Sequence, residues 1–142
     1  MTRQLFVAEP PKTYNKLPPI VVDCSLLAAI LFDEPSRDEA VEVLSGKSLH
    51  VPNLIDHEIV SVAVKKTEAN DGEVVARGLN SFRKLKLDRH IIDHESQFEL
   101  AINQKLSAYD AAYLHLAVVL NAPLATYDRV LASAARKVLA QR

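Results

Sequence analysis

The chain has 142 residues, 49% of them apolar and 25% charged, which suits one domain with a single core and excludes a wholly disordered chain. No apolar run approaches the roughly 18 residues of a bilayer-spanning helix and no secretory leader is legible, so a cytoplasmic protein without a membrane partner is expected. Seventeen Lys and Arg against 18 Asp and Glu leave a formal charge of −1, which excludes the overall basicity of many nucleic-acid binders. A lone cysteine, Cys24, cannot form an internal disulfide, and Gly46, Gly72 and Gly78 are too scattered for a glycine-rich phosphate loop.

Met1 to Pro19 reads as an extension: Pro10, Pro11, Pro18 and Pro19 remove backbone donors and no apolar period runs through it. Residues 1–19 are therefore expected to be a flexible appendage, and residues 20–142 the folded domain. Ile20-Val21-Val22 predicts a buried strand ending at Asp23, and Leu26, Leu27, Ile30 and Leu31 predict a helix from Ser25. Ser36 or Asp38 can cap a second helix that runs through Leu44 and stops at Gly46, before a brief strand at Leu49-His50-Val51. Asn53 is the expected cap of a helix to about Lys66. Beyond the breaker Asn70-Asp71-Gly72, a helix from Glu73 to about Lys84 shows an apolar face of Val74, Val75, Leu79 and Phe82. A strand near Leu87 to Ile92 follows, then helices over Glu95 to Asn103 and Ser107 to Leu120. A strand at Pro123 to Thr126 and a helix from Arg129 to about Leu139 complete the chain. This alternation predicts an α/β fold with a mostly parallel sheet covered on both faces.

In such a sheet ligands collect beyond the carboxyl ends of the strands, so acids at those positions carry information. Asp23 ends the first strand, two residues before Ser25; it is equally a helix cap. Glu58 lies inside the helical arc of Leu54, Ile55, Ile59 and Val62, where a carboxylate needs a cation or donors to offset its lost hydration; a salt bridge or a rim position would also explain it. Asp110 follows Ser107 at capping-box spacing, at the start of a helix that is apolar nearly all round. Asp128 follows the last strand and can itself be a simple cap. Four carboxylates converging on one sheet edge would repel one another unless a hard divalent cation, Mg²⁺ or Mn²⁺, neutralised them.

Val22-Asp23-Cys24-Ser25, Glu58, Ser107-Ala108-Tyr109-Asp110-Ala111-Ala112-Tyr113-Leu114 and Thr126-Tyr127-Asp128, in that order and spacing, resemble the PIN domain family, most closely the VapC-type toxin ribonucleases of type II toxin–antitoxin systems. The resemblance implies a PIN-like three-layer α/β/α domain with a sheet of four or five strands. It implies a Mg²⁺- or Mn²⁺-dependent endoribonuclease that hydrolyses RNA with a metal-activated water. Asp23, Glu58, Asp110 and Asp128 would be its catalytic and metal-binding acids, with Ser25 and Thr126 supporting them. It further implies a homodimer and a cognate VapB-type antitoxin as partners. The alternative is a PIN-domain protein that is a non-toxin nuclease, or a catalytically silent RNA- or protein-binding module.

Leu26, Leu27, Ile30, Leu31 and Phe32 could serve a dimer interface or the core. Lys65, Lys66 and Arg129 are RNA-binding candidates within a wider set of Arg77, Arg83, Lys84, Lys86 and Arg89, all of which could equally be ordinary surface charges. Tyr109, Tyr113 and Tyr127 could stack bases, but core packing is the favoured expectation for all three. His90 and His94 have ligand-like spacing without a third partner to complete a zinc site. Setting aside the four acids leaves a positive formal balance, suited to a polyanionic substrate.

Overall fold

A computed structural model describes residues 4–6, 8, 17–69 and 71–141. Most of the Met1–Pro19 extension lies outside the described residues; Gln4–Phe6 and Ala8 have no regular secondary structure, and Pro19 already belongs to the first strand. The elements are β1 (Pro19–Val22), α1 (Cys24–Leu31), α2 (Arg37–Leu44), β2 (Ser48–Pro52), α3 (Ile55–Glu68), α4 (Gly72–Lys84), β3 (Asp88–His90), α5 (His94–Gln104), α6 (Ala108–Leu120), β4 (Leu124–Ala125) and α7 (Arg129–Leu139).

The four strands pair in the order β3-β2-β1-β4, all parallel. Ile20, Val21 and Val22 of β1 and Val51 of β2 are buried, as continuous apolar runs in a doubly covered parallel sheet should be. On one face α6 packs against β1, β2 and β4, which explains why it is apolar nearly all round: Ala111 to Leu114, Leu116 and Ala117 are all buried. Helices α1, α3 and α4 form a second packed group, with α2 against α1. Sheet and helices together make a three-layer α/β/α fold.

Two local expectations are corrected. Asn53 is not a helix cap, because its N–H bonds His90 O at 2.9 Å and so prolongs the β2–β3 ladder; α3 starts after Leu54 without a side-chain cap. The third strand is shorter than Leu87 to Ile92. Of the residues open to either an interface or the core, Leu26, Leu27 and Leu31 of α1 and Phe32 just beyond it are buried in the core. Gly46 does end α2, with φ +73 in the left-handed region that glycine enters at little cost.

The order of strands positions the site. From β1 the chain moves outward to β2 and β3, then returns to place β4 on the other side of β1. The carboxyl ends of β1 and β4 therefore flank a topological switch point, the crevice where doubly wound sheets bind ligands.

Candidate active site

Asp23 emerges from β1 at that switch point and is only 5% exposed. Its Oδ1 accepts hydrogen bonds from Leu26 N (3.1 Å), capping α1, and from Ser25 Oγ (2.7 Å); its Oδ2 accepts one from Thr126 Oγ1. Each hydroxyl also receives a backbone donor from the β4–α7 turn: Tyr127 N donates to Ser25 Oγ and Asp128 N to Thr126 Oγ1, both at 2.9 Å. Two hydroxyls thus tie the end of β1 to the end of β4 through one carboxylate. The cap reading of Asp23 is met, and the same bonds hold its carboxylate where β1 and β4 end.

The other acids are brought in by helix starts. Asp128 caps α7 through Oδ1 and Leu131 N (2.9 Å). Asp110 lies in the first turn of α6, its N–H donating to Ser107 Oγ at 3.1 Å, as the capping spacing predicts. Glu58, in the first turn of α3, is half-buried and accepts a 2.6 Å hydrogen bond from the Tyr113 hydroxyl. Burial raises the Asp23 pKa above the ordinary carboxylate value against the pull of its hydrogen bonds, and the Asp128 charge adds to the rise. Glu58 is raised by burial and then by Asp23 and Asp110; Asp110 is raised by burial and then by Asp128 and Asp23. Burial and the neighbouring Glu58 and Asp23 charges push the Cys24 thiol up to about 12, which leaves it inert as a nucleophile.

The four carboxylates consequently share one electrostatic neighbourhood. None of them forms an ion pair among the described residues. As they stand, no three His, Cys, Asp or Glu side chains among the described residues are drawn in to close on one ion. The donor set nevertheless suits a hard divalent cation: carboxylate oxygens without a basic partner, with Asp23, Glu58 and Asp110 partly desolvated and Asp128 exposed beside them.

Other sequence candidates fare differently. His90 and His94 fall on separate elements, and His90 Nε2 is 2.9 Å from His50 Nδ1. Lys66 pairs with Glu34 at 3.3 Å and lies over the Phe32 ring, and Arg89 is held by both Asp56 oxygens at 2.9 and 2.8 Å. Lys65 and Arg129 are exposed. Tyr113 is core, as expected, but Tyr109 is 62% and Tyr127 38% exposed. Sequence reading missed Tyr113 as the partner of Glu58; its place one helical turn after Asp110, on the same face, was the available signal.

Comparison with known proteins matches residues 20–137 to the PIN domain. The chain belongs to the PIN domain family. This PIN domain is 37% identical over 115 residues to a protein named VapC ribonuclease from Mycobacterium bovis and to Ribonuclease VapC9 of Mycobacterium tuberculosis, covering 77% of this chain and 85% of each relative. Ribonuclease VapC3 of Pyrobaculum aerophilum is 28% identical over 120 residues, 80% of this chain and 92% of that protein. The crystal structure of PAE2754 from Pyrobaculum aerophilum shares the PIN-like fold, with a TM-score of 0.61 at 20% identity over 88% of this chain and 89% of the other.

Proposed function

We propose that this PIN domain protein is the toxin ribonuclease of a toxin–antitoxin pair, a divalent-metal-dependent endoribonuclease whose activity resides in residues 20–142, with residues 1–19 outside it. One observation carries the reading. Asp23 is a carboxylate buried where β1 and β4 end, oriented by two hydroxyls and raised in pKa, with no cation among the described residues to balance it.

Asp23, Glu58, Asp110 and Asp128 would hold Mg²⁺ or Mn²⁺, directly or through water. Bound there, the ion supplies Lewis-acid polarisation of the phosphodiester and a water nucleophile active at neutral pH. The chain's own contribution is positional. Ser25 and Thr126 fix both oxygens of Asp23, so the acid does not reorganise as charge develops. Tyr113 holds Glu58, which acts as ligand or orienting base, and the bond to Leu131 N restrains Asp128. No residue of the chain need form a covalent bond to RNA.

The relatives' names support a VapB-type antitoxin as partner, and the assembly proposed is a homodimer acting in the cytoplasm. No helix among the described residues is long and apolar enough to cross a membrane. The exposed Val60 and Val64 of α3 and Val41 and Val43 of α2 are apolar side chains open to protein contacts.

The test is digestion of single-stranded RNA with Mg²⁺ or Mn²⁺, against chelator and against Asp23→Asn. Cleavage that needs the metal and disappears in the folded variant, with growth arrest on expression, is the expected result. Cleavage that survives chelation or Asp23→Asn would overturn the metal-nuclease reading. Cleavage without growth arrest would point to a non-toxin nuclease, and RNA binding without cleavage to a silent module.

A further inference from the structure

A groove of about 460 Å³ runs between the end of α5 and the exposed side of α7. Lys105, Arg129 and Lys137 line it, with Gln104 and Ser133 as neutral polar groups and Val130 among its apolar residues; it contains no acid. These three cations form no ion pair among the described residues, whereas Arg37, Lys66, Arg77 and Arg89 are all engaged by carboxylates. One end of the groove is joined to the acid site by the chain itself: Arg129 directly follows Asp128, and Lys105 stands two residues before Ser107, the cap of the helix that carries Asp110.

Among the described basic residues, the backbone singles out Lys105. It ends α5 with φ +54, a left-handed conformation that favours glycine or asparagine and strains a lysine. A strained position filled by a long cation that lines a groove beside the site calls for a role that glycine could not fill.

We propose that this groove is a phosphate track for single-stranded RNA, in which Lys105, Arg129 and Lys137 hold the backbone on one side of the scissile bond. This rests on the ribonuclease reading and adds to it a place for the substrate. Four acids at the site repel a polyanion, so affinity has to come from cations displaced from the acids yet close enough to set the strand's register. Lys105 and Lys137 were not among the sequence candidates because a basic residue on a helix end reads as ordinary surface until the groove shows which cations line it together.

The test uses the full chain in an Asp23→Asn background, so that RNA survives, and a labelled single-stranded RNA oligonucleotide as probe. Binding is followed from about 50 to about 200 mM salt for the parent and for the triple variant Lys105→Gly, Arg129→Gln, Lys137→Gln. Three lost phosphate contacts should lower the slope of log K against log salt by about 2, at about 0.7 per contact for a single strand. In the active background KM for RNA should rise about tenfold or more, with kcat held. Lys105→Gly alone relieves the backbone strain, so a structural role predicts equal or better stability with unchanged binding; the track predicts equal or better stability with weaker binding. An unchanged slope and KM in a triple variant whose parent cleaves RNA would overturn the track alone. A parent that neither binds nor cleaves RNA would overturn the ribonuclease reading with it. Displacement of the RNA by polyglutamate of matched charge as readily as by RNA would reassign the groove to an acidic protein segment and overturn the RNA assignment.

Discussion

The Tyr113 hydroxyl donates a 2.6 Å hydrogen bond to Oε1 of Glu58, joining α6 to α3 across the sheet's carboxyl end. The tyrosine is 1% exposed and seated in the core, so the donor is fixed and the carboxylate is held to it. Burial and the Glu58 charge raise the tyrosine pKa, which keeps the proton on the phenol. On the Glu58 side this bond opposes burial and the charges of Asp23 and Asp110, all of which raise its pKa.

Tyr113→Phe keeps the ring and removes the donor. Glu58 is then left partly desolvated without that partner, and the unfolding free energy in urea should fall by about 1–2 kcal/mol. Under the proposed mechanism Mn²⁺-supported turnover falls as well, while KM for RNA is unchanged, because the phenol touches an acid and not the substrate. Equal stability and equal turnover would mean that the bond does not form in solution.

Thr126 serves two elements with one hydroxyl, donating to Asp23 Oδ2 and accepting from Asp128 N. Thr126→Val preserves shape and loses both bonds. Partners that orient metal-binding groups are typically worth about 10–100-fold in metal affinity, and that loss is expected for Mn²⁺ measured by titration calorimetry. Thr126→Ser should recover most of it. A valine variant with parental affinity would remove Thr126 from the site.

The elements were legible because periodicity is local: α7 begins at Arg129 and ends at Leu139 where the apolar pattern does, and β1 ends at Val22, directly before Asp23. The acids were legible as residues and ambiguous in role, because a carboxylate that only caps a helix and one that also serves a site leave the same local pattern; Asp23 caps α1 and stands where β1 and β4 end. The pairings were not legible. Thr126 lies 103 residues from Asp23 and Tyr113 lies 55 from Glu58, and only the strand order β3-β2-β1-β4 and the seat of α6 bring them together. Tyr109 and Tyr113 share a helical face by spacing, yet Tyr109 is exposed in the first turn and Tyr113 buried in the next. Their difference depends on where α6 meets the core, which the helix period cannot supply.

His50 yields a prediction about pH. Its Nε2 is 3.0 Å from Ser48 Oγ and its Nδ1 2.9 Å from His90 Nε2. Burial holds its pKa below 6.5, with Asp88 pulling it up and His90 pushing it down. A histidine kept neutral in the folded chain takes up a proton on unfolding near or below pH 6.5, so the unfolded state binds more protons there and stability rises with pH. The contribution is complete above about pH 6.5 and is lost as pH falls through that value toward the folded pKa. The urea midpoint of the parent should therefore drop between about pH 7.5 and about pH 5.5 by more than that of His50→Gln. Comparing the two chains cancels the carboxylates of the site, and equal drops would show that His50 does not titrate differently on folding.

Gly78 sets the approach of α4 to α1. A Cβ there would meet Phe32 Cδ1 at 2.5 Å and the Leu31 carbonyl oxygen at 2.6 Å. Neither can yield cheaply, since the first belongs to a ring 3% exposed and the second is backbone. In an open helix Gly→Ala gains about 1 kcal/mol through helix propensity. Here the forced separation of two packed helices costs about 1–3 kcal/mol, drawn from overpacked cores, and more where the backbone itself must move. Gly78→Ala should therefore lower the urea midpoint despite alanine's better propensity. Gly72→Ala in the same helix is the control: nothing lies within 4 Å of its added Cβ, so stability should hold or rise slightly. A Gly78→Ala chain as stable as Gly72→Ala would mean that α4 does not pack this closely on α1.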